Sequence, residues 1–221
     1  MMALLLFTPM FLLAAKCIDN ESMYQDNLGD WHVVGEMRND TDVWGANMML
    51  GGSLMDDAGN VLATGQAPAC PFELAAHGTS VFDVQFFQSY GLHPTKYEVH
   101  PMSGRSLDQP LQPLQVSLSG FAAKRTSSGV TITGTIRARR AYSQQFGGCT
   151  AFYNSAGKVV RQITIFGFGK LSANADQPLT LPLPDIPGDA TAVAFWLVES
   201  SDADPLSSDY GAAVTGKLTI R

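Results

Sequence analysis

The sequence predicts an all-β chain built as two tandem copies of one unit, and three observations carry that prediction. A pattern occurs twice: Trp31-His-Val-Val-Gly-Glu-Met-Arg38 returns as Val130-Thr-Ile-Thr-Gly-Thr-Ile-Arg137, and Asp56-Asp-Ala-Gly-Asn-Val-Leu62 returns as Asn154-Ser-Ala-Gly-Lys-Val-Val160. Gly35 and Gly134 lie 99 residues apart, and Gly59 and Gly157 lie 98 apart. Within each copy the residues alternate between apolar and polar, the period of a half-buried strand. No stretch longer than about ten residues shows helical periodicity free of Gly and Pro.

The elements follow in order. Trp31, Val33, Gly35 and Met37 alternate with His32, Val34, Glu36 and Arg38. In the second copy Val130, Ile132, Gly134 and Ile136 alternate with threonines and Arg137. The two apolar sets are in phase, because a one-residue slip would turn the core face to solvent. The shared glycine on the inner face predicts close approach by another side chain or strand. Asn39-Asp-Thr-Asp42 is a turn, since Asn and Asp bond their own backbone; Ala138–Ala141 takes its place later. A longer strand follows, from Trp44 to Met55 and from Tyr142 to Tyr153. It ends in a hairpin whose apex is Ala58-Gly59 or Ala156-Gly157. Return strands run from Val61 to Gln66 and from Val159 to Ile165. Ser80 to Phe87 is matched by Pro178 to Leu183, and Lys96 to Val99 by Val193 to Val198. Tyr97 maps onto Phe195, and Val99 onto Leu197. Residues 102–113 read as a linker, Gln115 to Phe121 opens the second unit and Val214 to Ile220 closes it. The predicted boundaries are 21–101 for the first unit and 114–221 for the second.

A chain of 221 residues with this repeat allows each unit its own core. Only 15% of residues are charged, against about 25% in ordinary globular chains. That scarcity, with abundant Ser and Thr, suits an exported protein. Net charge is −6, and the basic residues cluster only at Arg137-Ala-Arg-Arg140. Nucleic acid and anionic membrane surfaces are excluded as partners, because phosphate binding needs many Lys and Arg contacts. Residues 1–16 open with an apolar run, Met1 to Ala15, of signal-peptide length. It is too short for a membrane span of about 20 residues, so it reads as a signal peptide or an N-terminal anchor. Beyond it no integral membrane segment is expected. Cys17, Cys70 and Cys149 are an odd set without a C-x-x-C spacing. Cys17 is open to lipidation or to pairing with Cys70, and Cys149 reads as a buried free thiol.

His32-Val-Val-Gly-Glu-Met-Arg-Asn-Asp-Thr41, Gly52-Ser-Leu-Met-Asp-Asp-Ala-Gly-Asn-Val-Leu62, and Leu74-Ala-Ala-His-Gly78 before Val81-Phe-Asp-Val84 together resemble the FxLYD domain. The likeness covers residues 22 to 100, and more weakly 114 to 200. Met55 stands where that family has an aromatic; Phe152-Tyr-Asn154 keeps the aromatic but exchanges the Asp for Asn. The resemblance implies two tandem immunoglobulin-like antiparallel β-sandwiches in an exported prokaryotic protein. It implies a structural or binding role and carries over no catalytic residue.

The remaining constellations are weighed as chemistry. The four histidines, His32, His77, His93 and His100, read as solvated rather than as metal ligands, which must converge. Asp40, Asp42, Asp56 and Asp57, and separately Asp202, Asp204 and Asp209, sit in turns, which explains them without calcium. No Gly-x-Ser-x-Gly element is present. Trp44 and Tyr142 match at the start of the long strand. An aromatic there either caps the core or stacks on a sugar or a protein partner, which makes these two the candidate ligand-binding residues. Asn39-Asp-Thr41 is a glycosylation sequon as well as a turn. The expectation is a non-catalytic module, without metal or cofactor, of the cell envelope or extracellular space, with a protein or glycan partner. The alternatives are a carbohydrate-binding or adhesin module using Trp44 and Tyr142, an enzyme built on the loops of residues 90–105 or 200–210, and a subunit assembling through edge strands.

Overall fold

A computed structural model describes residues 18–142, 145–200 and 210–221. The apolar N-terminal segment, Cys17 and the acidic loop bearing Asp202, Asp204 and Asp209 lie outside the described residues. The described residues form strands and no helix. The first unit contains β1 (Ile18–Gln25), β2 (Trp31–Arg38), β3 (Gly45–Met55), β4 (Val61–Pro68), β5 (Thr79–Phe86) and β6 (Lys96–Ser106). A two-residue β7 (Gln112–Pro113) lies in the connection. The second unit contains β8 (Val116–Thr126), β9 (Gly129–Ala138), β10 (Gln145–Asn154), β11 (Val159–Gly169), β12 (Asp176–Pro184) and β13 (Ala190–Ser200). It closes with β14 (Tyr210–Gly211), β15 (Ala213–Val214) and β16 (Leu218–Thr219).

Each unit is a sandwich of two antiparallel sheets. In the first, β1-β2-β5 faces β4-β3-β6; in the second, β8-β9-β12 faces β11-β10-β13, whose outer edge carries β15 and β16. The all-β, tandem-sandwich fold expected from the sequence is therefore present, with an immunoglobulin-like order of strands. Two separate cores fill the sandwiches. Val33, Met37, Leu50, Leu54, Phe82 and Phe86 centre the first. Ile132, Ile136, Phe146, Phe152, Phe195 and Leu197 centre the second.

The repeated glycines act as their positions require. A Cβ on Gly35 would stand 2.6 Å from Cζ of Phe82, and one on Gly134 would stand 2.5 Å from the Phe121 ring. An aromatic ring lies over each glycine, supplied by β5 in one copy and by β8 in the other. Both β1 and β8 carry a bulge opposite that glycine, where Asn20 and Gly120 take positive φ values of 56° and 62°. The hairpins are also copies. Asp56 and Asn154 each accept the amide of the apical glycine, Gly59 or Gly157, and each side chain accepts an amide four residues on.

Three boundaries differ from expectation. β1 begins at Ile18, ahead of the predicted start at residue 21. β6 runs on to Ser106, so the predicted linker 102–113 gives its first five residues to a strand. The remaining connection is held by β7, which pairs in parallel with β14.

The two sandwiches stack face to face. The outer face of β1-β2-β5 packs on the outer face of β11-β10-β13, giving four sheet layers. The seam uses unlike faces of the two copies, because β10 and β11 correspond to β3 and β4 of the first unit.

Candidate functional site at the seam between the two sandwiches

Period two places His32, Val34 and Glu36 on the outer face of β2. Cys149, Ala151 and Tyr153 take the outer face of β10 by the same rule. Where the faces meet, Val34, Val81, Ala151, Ala194 and Trp196 form a dry centre. Beside it Cys70 and Cys149 form a disulfide, with Cα atoms 6.2 Å apart. This corrects two expectations: Cys70 pairs with Cys149 rather than Cys17, and Cys149 is not a free thiol. The two cysteines are 79 residues apart in different units. Their meeting follows from the stacking, which periodicity within one unit does not encode.

One flank of the seam is polar. The His32 ring stacks on Tyr24, centroids 4.8 Å apart at 9°. Its Nδ1 lies 2.7 Å from Oδ1 of Asp83 and its Nε2 lies 3.4 Å from Oδ2 of Asp26. Arg161, on β11, donates to the Tyr24 hydroxyl at 2.5 Å. The β1–β2 turn holds Asp26 in place, with the amides of Leu28 and Asp30 each 2.9 Å from Oδ1. Burial alone would lower the imidazole pKa, but Asp83 and then Asp26 reverse this and hold it above the usual histidine range. Burial pushes the Asp26 carboxyl up; the amides of Asp30 and Leu28, with His32, outweigh it and hold the pKa below the usual range. Burial, then Asp83, drives the Tyr24 phenol well above its ordinary value. His32 is 6% exposed, so the reading of a solvated histidine is also corrected.

The other flank centres on Glu36. Its Oε1 accepts from the Tyr153 hydroxyl at 2.7 Å, and its Oε2 accepts from the Asn20 amide. Lys217, between β15 and β16, places Nζ 3.7 Å from Glu36 Oε1 and 3.7 Å above the Tyr153 ring. Ser22 donates to the Val159 carbonyl across the seam. Beside Glu36, Asp19, Asn20, Arg38 and Thr79 line an open hollow of about 360 Å³. These groups hold one another across two domains. Both ring nitrogens of His32 are engaged by carboxylates of its own unit, so the imidazole clamps the β1–β2 turn to β5, while Arg161, Tyr153, Ser22 and Lys217 make the contacts across the seam.

The residues proposed from sequence fall elsewhere. Tyr142 is 4% exposed, and its hydroxyl accepts the Gln115 amide at 2.7 Å. Its ring lies edge-on to Phe146 and under the Arg140 guanidinium. Trp44 is half-buried against Gly211, and its carbonyl accepts from the Leu107 amide at 2.8 Å. The Asn39 side-chain amide donates to the carbonyls of Val43 and Ala75, at 2.7 and 3.0 Å. Among the described residues no group of three or more His, Cys, Asp or Glu is placed to hold a metal.

A surface that the sequence did not reveal lies at the tip of the first sandwich. Leu28, Phe87 and Tyr90 are 82%, 74% and 69% exposed. The loop bearing the last two is tied to the start of β2 through Ser89. Buried Ser89 donates its amide to Asp30 at 3.1 Å and accepts the Trp31 amide at 2.7 Å, while Gln88 adopts a φ of 59°.

No family model matches the chain. No curated protein matches it either. A crystal structure of red sea bream transglutaminase is similar over 94% of this chain, at 12% identity and a TM-score of 0.27. The chain spans about a third of that protein, 32% of its length. That neighbour is an enzyme, so the expectation of a non-catalytic chain finds no support in it. A likeness at this level carries neither an activity nor a residue over.

Proposed function

We propose that the chain is an extracytoplasmic structural or binding module whose two sandwiches are locked into one block. The observation that carries this reading is the Cys70–Cys149 disulfide across a buried seam. Structural disulfides form and persist in oxidising compartments. The apolar run from Met1 to Ala15 and the FxLYD-like residues of the first unit support export. The exposed Leu28, Phe87 and Tyr90 support binding, because a hydrogen-bonded loop that presents large apolar groups to water suits a protein partner.

The test is fractionation of producing cells combined with thiol labelling before reduction. Recovery outside the cytoplasm with Cys70 and Cys149 both blocked is the expected result. Recovery in the cytoplasm with both thiols free would remove the reading.

A further inference from the structure

The two copies differ at one edge. In the second sandwich β15 and β16 run antiparallel along β13, pairing Leu197 with Ala213 and Val193 with Leu218. The same segment reaches β8 in parallel, where Ile220 bridges to Ala123 and the Arg125 amide donates to the Arg221 carbonyl at 2.8 Å. The last strand thus fills the slot between the first and sixth strands of its sandwich. Phe195 and Leu197 beneath it are 0% exposed.

In the first sandwich the chain leaves β6 for the connection. Among the described residues no strand pairs with the outer edge of β6. The registers correct the sequence match here: Tyr97 and Val99 face Leu54 and Gly52 as Val193 and Phe195 face Phe152 and Thr150, and where Val193 and Phe195 are buried, Tyr97 and Val99 are only half-buried. Met23 is half-buried where its counterpart Ala123 is buried. Ile18, Met23, Tyr97 and Val99 all lean on the first core from this slot. The walls also differ in charge. Where the second copy has Phe121 at its bulge, the first has Glu21, close enough to the Tyr97 phenol to add to the upward push of burial on its pKa. Glu21 has no ion-pair partner among the described residues.

We propose that the slot between β1 and β6 accepts an extended strand of another protein, antiparallel to β6, with alternate apolar side chains over Tyr97 and Val99 and a lysine or arginine facing Glu21. Main-chain pairing supplies affinity and the alternate pockets supply selectivity. An open edge of this length is otherwise a site of unspecific pairing, which the charges of Lys96, Glu98 and Arg105 restrain. The inference deepens the reading of the chain as a binding module and rests on it.

The probe is a synthetic peptide of residues 212–221, the strand that fills the equivalent slot, added to the full chain with its disulfide intact. Saturable binding is expected, with slowed amide exchange in residues 18–25 and 96–106. Glu21→Lys should weaken it about tenfold and Glu21→Gln about threefold, each variant first checked for an unchanged thermal transition. A peptide carrying Leu218→Asp and Ile220→Asp should not bind. Failure to saturate, protection confined to residues 190–200, or affinity indifferent to both Glu21 variants would overturn the proposal. So would protection of β6 that appears without peptide alongside dimers in light scattering, because the occupant would then be a second copy. The thiol-labelling result is independent of all these outcomes, so failure of the slot and failure of the module reading can be told apart.

Discussion

At Gly35 a single missing methyl group decides the packing of a sheet. The Phe82 ring occupies the space a Cβ would need, so Gly35→Ala must push that ring into a filled core. A loss of roughly 1–3 kcal/mol is expected from such overpacking. Denaturant titration reads it directly, and an unchanged midpoint would contradict the ring-over-glycine contact. His32 gives a second prediction. Its folded pKa is raised, so its stabilisation is complete below the ordinary histidine value and fades as pH rises through the raised one. Asp26 is held low, so its share is present above the ordinary carboxylate value and fades as pH falls through the depressed one. The groups facing His32 are Asp26, Asp83 and Tyr24, with Arg161 behind Tyr24. The Tm gap between the parent and His32→Gln should therefore be widest at about pH 5–6 and shrink above neutrality. A gap that does not change with pH would count against the clamp. Period two placed His32 on the outer face correctly, but a period says nothing about what covers a face. The available clue was Val34, apolar where its counterpart is Thr133.

Among the elements, the hairpins and inner strands were the most legible, because turn chemistry and alternation are local. Gly59 and Gly157 have φ values of 85° and 79° with open space where a Cβ would go. Gly157→Ala should thus lose only about 1 kcal/mol, from backbone strain alone, and less than Gly35→Ala. A loss at Gly157 as large as that at Gly35 in paired unfolding experiments would contradict the open space beside the hairpin glycine. β1 was missed because its bulge at Asn20 interrupts the alternation. The far end of β6 was missed because Ser103, Gly104 and Arg105 lie exposed and carry no period. β10 held an unread message. Residues 146–153 are buried without a break, and a run that is apolar on both faces belongs to a strand covered on both sides.

For the whole molecule, the seam converts two folding units into one. Joining residues 79 apart is worth about 4 kcal/mol in the loop-entropy account. Replacing both cysteines, Cys70→Ser with Cys149→Ser, should lower the midpoint and split a single thermal transition into two as the units uncouple. One unchanged transition in calorimetry would mean that the apolar seam suffices alone. This scale was the least legible in the sequence. Each copy explains its own core, whereas the contact between copies depends on Val34, Cys149 and Tyr153 meeting across 79 or more residues.

The seam joins the front of one copy to the back of the other, which makes the molecule a segment of a polar row. Such a relation has no two-fold axis; repeated, it gives a ring or an open row according to the rotation between copies. Length is then limited only by what the two terminal faces offer. One of them replaces His32, Val34 and Glu36 with Thr131, Thr133 and Thr135, beside an edge strand carrying Pro178, Pro182 and Pro184. Hydroxyls that stay wet on that face and ring nitrogens without hydrogens along its edge leave little there for a further copy to pair with.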